Sequence, residues 1–151
     1  RNIVNHFGTV SRMDNLQAAI LNYRLTKLDK VTQQRRSNAK LYFGGINMVD
    51  MYIPEEKTYE YNTYHTFVVQ TEYRDKLKEH LFSNGIDTAI HYPIPIHLQL
   101  ASKKLGYKEG DFLITEKQSK QILTLPINQF LSEVDLERII SVINQFEKDF
   151  L

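Results

Sequence analysis

Gly85-Ile86-Asp87-Thr88-Ala89-Ile90-His91-Tyr92-Pro93-Ile94-Pro95-Ile96-His97-Leu98-Gln99 is the stretch on which the fold turns. Its first half alternates with a period of two. Ile86, Thr88, Ile90 and Tyr92 share one face of an expected strand, and Asp87, Ala89 and His91 the other. Its second half is a doubled X-Pro unit. Each proline fixes its own φ, and each biases the residue before it toward extended geometry. The reading is a strand feeding a stiff connector that neither coils into a helix nor sits in a central ladder. Two histidines and a tyrosine ride on that connector. Polar rings on a rigid rim suit recognition better than packing, which makes this the place to seek a site.

Upstream of the rim, Arg74 to Phe82 reads as a helix through Leu77 and Leu81, closed by Asn84-Gly85, which tolerate the left-handed backbone of a helix end. Tyr64 to Thr71 reads as a strand with bulky residues on both faces, suited to an interior position. Met48 to Pro54 reads as a shorter strand, and the polar residues around Glu55-Glu56-Lys57 as a loop. Further back, Ser11-Arg12-Met13-Asp14 has the spacing of a helix cap box. Leu16, Ile20 and Tyr23 then form one apolar stripe, and Leu21, Leu25 and Leu28 a second. Without an intervening proline the helix is expected to run unbroken to Gly44-Gly45. About 30 residues at 1.5 Å rise make a rod of ~45 Å, against a radius of gyration of only ~15 Å for a domain of this size. Part of the rod therefore overhangs and needs cover from another domain or subunit.

Downstream, Thr115 and Gln118 mark a short capped helix, and Ile122 to Leu125 a strand stopped by Pro126. Ser132-Glu133-Val134-Asp135 repeats the cap signature before Leu136, Ile139, Ile140, Ile143 and Phe146, an amphipathic closing helix. The order predicts an α/β fold, an α+β lobe with an open sheet covered by helices. Two units are expected: residues 1–45 as an interdomain segment with its long helix, and 46–151 as a small domain.

Composition narrows the chemistry. The 151 residues are 42% hydrophobic, with a formal charge of +1 and no cysteine. A near-neutral chain is a poor partner for nucleic acid or an anionic membrane. Absent cysteine excludes disulfides, thiolate metal sites and thiol nucleophiles, and favours a reducing compartment. No apolar run approaches the ~18–20 residues of a membrane-spanning helix.

None of the serines sits in a G-x-S-x-G elbow. His65, His91 and His97 all lie near strand ends but lack the i, i+4 spacing and matched carboxylate of a zinc site; their reading is as hydrogen-bonding rings. No phosphate-cradling glycine loop is present, although the amides around Gly8, ahead of the first helix, are open to an anion.

Several segments, in order, resemble the C-terminal part of the DegT/StrS family of nucleotide-sugar aminotransferases, which use pyridoxal phosphate. They are 8–21 (GTVSRMDNLQAAIL), Leu28-Asp29 with Arg35-Arg36, 64–69 (YHTFVV), 74–77 (RDKL), 85–93 (GIDTAIHYP), His97-Leu98-Gln99, Gly106-Tyr107, Gly110-Asp111-Phe112, Thr115-Glu116 and Leu125-Pro126. The His-Tyr-Pro-x-Pro-x-His-Leu-Gln version is most similar to the branch that aminates 3-keto-6-deoxy sugars carried on dTDP.

The resemblance implies a long interdomain helix followed by a small open sheet flanked by helices, as in the C-terminal domain of fold-type I aminotransferases. It implies a cytoplasmic homodimer, a nucleotide-linked sugar as substrate and an amino donor such as glutamate. The family's Schiff-base lysine, the aspartate that pairs with the pyridine nitrogen and the aromatic residue over the ring would all precede Arg1, so no residue here is expected to be catalytic and no metal is expected. His91 and Tyr92 match the rim that approaches the sugar nucleotide. Ser11 and Arg12 match the region facing the cofactor phosphate of a neighbouring subunit, Arg12 leaning toward a structural ion pair. Val10 stands where the family has a phosphate-contacting asparagine, and valine has no donor to replace it. His97 and Gln99 are expected to fix the loop, and His65 and Glu116 to serve as structural hydrogen-bonding residues.

Three readings follow. The chain is the C-terminal portion of a sugar aminotransferase, inactive alone; or a stand-alone domain of that ancestry that binds a nucleotide sugar or a protein; or a small hydrolase using a histidine pair.

Overall fold

The computed structural model describes residues 3–150. Its elements, in order, are α1 (Asn15–Leu25), α2 (Leu28–Gly45), β1 (Phe67–Gln70), α3 (Arg74–Ser83), α4 (Leu113–Gln121), β2 (Ile122–Leu125) and α5 (Glu133–Phe150), with 3-10 turns at Ile96–Leu98 and Leu100–Leu105 between α3 and α4.

β1 and β2 pair antiparallel, Phe67 opposite Leu125 and Gln70 opposite Ile122. Single antiparallel bridges extend this ribbon on both sides: Tyr52 to Gln70, and Ala89 to Thr124. β1 is thus flanked on its outer edge at Gln70 and by β2 on the other, and its residues alternate between buried and half-buried because successive side chains point to opposite faces. The expected strands at 48–54 and 86–92 shrink to these bridges. Each lies at an edge, and the second ends in a proline unit that cannot extend a ladder.

The core gathers Tyr42 and Ala39 of α2, Phe67 and Val69 of β1, Leu77 and Leu81 of α3, Leu123 and Leu125 of β2, and Leu136, Ile139, Ile143 and Phe146 of α5. Tyr42 and Phe67 meet ring to ring, centroids 4.9 Å apart, and the Tyr42 hydroxyl donates to the Pro126 carbonyl at 2.7 Å. Asn38, also buried, donates to the Asn128 carbonyl at 3.0 Å. Together these bonds tie α2 to the chain leaving β2. Gly45 lets α2 approach α5 closely: a Cβ there would stand 2.9 Å from Ile140. Gly85 takes φ +73° just after α3, as its cap position requires.

The long rod is not continuous. Thr26 and Lys27 break it into α1 and α2; the Thr26 hydroxyl folds back onto the Tyr23 carbonyl at 2.8 Å, and Lys27 leaves helical geometry at φ −115°, ψ 0°. A β-branched hydroxyl residue competes in this way with the backbone ladder, a choice that hydrophobic spacing does not register. The cap is also shifted. Asp14 is the cap residue of α1, and its amide donates to Gln17 at 3.2 Å, so the box is Asp14–Gln17 rather than Ser11–Asp14. α4 begins at Leu113, two residues before the expected Thr115. The overhang itself is plain: no residue of α1 is buried, and Leu16, Ile20, Leu21, Tyr23 and Leu25 are exposed.

Candidate functional site: the His91–Gln99 rim

The rim leaves the sheet at Ala89, whose amide and carbonyl both bond Thr124 of β2, at 3.2 and 2.7 Å. The Thr124 hydroxyl and His91 Nδ1 share a further hydrogen bond of 3.0 Å. The backbone bonds set the chain position, and the hydroxyl bond sets the imidazole. Tyr92 stands edge-on to the His91 ring, centroids 5.4 Å apart, and is 62% exposed. Pro93 and Pro95 keep the next residues extended. Beyond them the chain does turn helically, at Ile96–Leu98, because Pro95 restrains the residues before it and serves well as the start of a turn. The expected stiff connector therefore ends at Pro95.

His97 is where the turn is anchored. Its Nε2–H donates to Glu116 Oε1 at 2.9 Å, the two side chains being only 5% and 9% exposed. The same carboxylate accepts from the Gly110 amide at 2.9 and 3.1 Å and the Phe112 amide at 3.3 Å. Burial pushes the Glu116 carboxyl up, but the bonds from His97, Gly110 and Phe112 outweigh it and hold it below the usual carboxylate range. Gln99 also holds backbone: its carbonyl oxygen accepts from the Val4 amide at 2.8 Å, and its amide group donates to the Ile94 carbonyl at 3.3 Å. The Ala101 amide donates to the Val4 carbonyl at 2.8 Å. The segment ahead of α1 is thereby fastened along the rim. Short-range periodicity carries no trace of that contact, since 95 residues separate Val4 from Gln99. Between Val4, Tyr92, Ile94, Ile96 and Gln118 lies a cleft of about 510 Å³ whose lining carries no charged side chain.

The three histidines do not converge. His91 is bound to Thr124, His97 to Glu116, and His65 Nδ1 lies 3.3 Å from Arg35. Because a guanidinium only donates, His65 accepts at Nδ1 and carries its ring proton on Nε2. A hydrolase using His91 and His97 as a pair finds no shared geometry, and no cluster able to hold a metal occurs among the described residues.

Ser11 and Arg12 sit in exposed chain just before α1. Arg12 pairs with Asp14 at 3.0 Å, in solvent. Val10 is fully exposed and offers no donor. Ser11 is not the helix cap, so its hydroxyl is not committed to α1. This geometry leaves the Ser11 hydroxyl clear of the helix cap and Arg12 paired with a carboxylate in solvent. It does not fit covalent anchorage of a carbonyl cofactor, which needs an amine whose charge is suppressed by burial or a cationic neighbour: among the lysines whose side chains are described, all are exposed except half-buried Lys78.

The sequence profile of the DegT/DnrJ/EryC1/StrS aminotransferase family matches residues 1–144. The chain belongs to that family. It is 36% identical over 146 residues to a "Pleiotropic regulatory protein" of Geobacillus stearothermophilus, covering 95% of this chain and 39% of that one. It is also 36% identical over 140 residues to a dTDP-3-amino-3,4,6-trideoxy-alpha-D-glucose transaminase of Streptomyces venezuelae, covering 92% and 37%. The crystal structure of S. venezuelae DesV in complex with a ketimine intermediate superposes with a TM-score of 0.88 at 34% identity, over 95% of this chain and 39% of that chain. This DegT-family chain thus spans about two fifths of the length of the relatives it matches, with the α/β fold expected of the C-terminal part of such an aminotransferase. No helix among the described residues is long and apolar enough to cross a membrane.

Proposed function

We propose that this chain is the C-terminal portion of a pyridoxal-phosphate-dependent aminotransferase acting on a nucleotide-linked keto-deoxysugar, of the dTDP-3-keto-6-deoxyhexose kind. It works as a homodimer in the cytoplasm with an amino donor such as glutamate. The observation that carries this reading is α1: two apolar stripes on a helix that buries nothing within the chain, in a molecule that overlays two fifths of an aminotransferase. Apolar area of that extent is covered in the working protein, and residues 1–45 supply the element that joins the lobe to what covers it.

Pyridoxal phosphate, when bound, supplies the electron sink for moving an amino group. This chain's share is binding and orientation. His91, with Nδ1 held by Thr124, presents Nε2 to the nucleotide's diphosphate, and Tyr92 presents its hydroxyl beside it. Ser11, with the amides around it, and Arg12, once drawn from Asp14, contact the cofactor phosphate of the adjoining subunit. With no suitable amine among the described side chains, these residues alone do not transaminate.

The test compares the 151-residue chain with the longer polypeptide of its source gene. Each is given pyridoxal phosphate, glutamate and a dTDP-linked 3-keto-6-deoxyhexose, and the amino sugar is sought by mass spectrometry. The longer polypeptide should convert the sugar and the short chain should not. Turnover by the pure short chain refutes the proposal; binding of the sugar nucleotide with no turnover by any product of the gene favours a non-catalytic binding domain.

A further inference from the structure

The rim is a span pinned at two ends and braced between them, where the Gln99 amide group donates to the Ile94 carbonyl. At the sheet, Ala89 and His91 are both fixed to Thr124. At the far end, the turn Ile96–Leu98 is held mainly through His97. One carboxylate on α4 gathers donors from two separate segments there: the imidazole of His97 in the turn, and the amides of Gly110 and Phe112 in the loop before α4. The Phe112 ring backs this arrangement, its centroid 4.7 Å from that of His97. The Ser102 hydroxyl donates to the Ile96 carbonyl, closing the turn from its other side. Between His97 and Tyr92, prolines at 93 and 95 remove two φ freedoms. A shift of His97 is therefore passed along the span to Tyr92 rather than absorbed within it.

We propose that Glu116 is a positioning residue: through His97 and the stiff span 92–96, it sets the orientation in which His91 and Tyr92 meet the diphosphate of a nucleotide sugar. This rests on the reading of the chain as part of a sugar aminotransferase. The chemistry calls for a carboxylate at this place. Ionised, it has two acceptor oxygens and no donor, matching three converging N–H groups. Glutamine has one acceptor oxygen and no charge, and in either orientation its NH2 would face the Gly110 amide, which bonds both carboxylate oxygens, donor against donor.

The experiment uses the source polypeptide carrying Glu116→Gln, with two independent readouts. In hydrogen exchange, the Leu98 and Gln99 amides, bonded to the Pro95 and Ile96 carbonyls, should exchange roughly tenfold faster than in the wild type. In steady-state kinetics, KM for the nucleotide sugar should rise roughly tenfold while kcat stays within about twofold. Glu116→Asp, which keeps the charge but withdraws it, should fall between the two and serves if the glutamine variant does not fold. Faster exchange confined to residues 108–112, or an unchanged KM with only a lower melting temperature, overturns the proposal. If the wild type shows no transamination, the functional reading fails by itself, and hydrogen exchange still decides whether Glu116 governs the rim.

Discussion

Tyr42→Phe isolates one long-range bond without disturbing the packing around it. The ring is fully buried and keeps its contact with Phe67; only the hydroxyl, 2.7 Å from the Pro126 carbonyl, is lost. Removing one partner of such a bond costs about 1–2 kcal/mol, which for a domain of this size lowers Tm by about 3–6 °C. The same burial pushes the Tyr42 phenol well above its ordinary pKa of 10.0, and this adds a pH signature. A folded-state pKa above the unfolded one means that, in alkali, the unfolded chain releases a proton the folded chain retains. The stabilisation is complete below the unfolded pKa and is lost as pH rises from there toward the folded value. By about pH 11 the wild type should have lost about 1.4 kcal/mol through this residue alone. The phenylalanine variant has no such loss, so urea unfolding curves should place it about 1–2 kcal/mol below the wild type near pH 8 and close to it near pH 11. Equal stability at the lower pH, or a gap that does not change with pH, refutes the reasoning.

Adjacent glycines should respond with opposite signs. Gly45→Ala drives a methyl against Ile140, 2.9 Å away, and should cost about 1–3 kcal/mol by overpacking; Gly44→Ala meets nothing within 4 Å and should gain up to about 1 kcal/mol from helix propensity, both read by urea denaturation. Glu56 accepts two bonds from Arg36, at 2.6 and 2.8 Å, and one from the Asn62 amide; the Arg36 bonds, then Asn62, hold its carboxyl below the usual range against the effect of burial. Its contribution is present above the ordinary carboxylate pKa and lost as pH falls through the lowered folded value. Urea midpoints followed into acid should fall less steeply for Glu56→Gln than for the wild type, and parallel curves would contradict this.

Much of the lobe was legible because its signals are local. The stripe on α5, the Asn84-Gly85 stop after α3 and the bulky residues on both faces of β1 each follow from residues within a turn or two of one another. Where the reading slipped, a distant or competing contact decided. Thr26 diverted a carbonyl and split the rod. The 86–92 segment had the alternation of a strand, but its place at the edge and the prolines after it left it one bridge. For the candidate site, residue types were legible and company was not: His65, His91 and His97 all read as hydrogen-bonding rings near strand ends, and each has a different partner.

The sequence by itself determined α3, α5 and the two paired strands, the extended backbone around Pro93 and Pro95 and the membership of a family, since backbone preference, periodicity and motif order are properties of neighbouring residues. Only the tertiary structure decided that Glu116 would gather His97, Gly110 and Phe112, that Val4 would lie along Gln99, and that the expected overhang would fall on the whole of α1. Those outcomes depend on which surfaces meet across long stretches of chain. A carboxylate recruits whichever donors the fold brings to it, and an apolar stripe is covered only where a complementary surface exists.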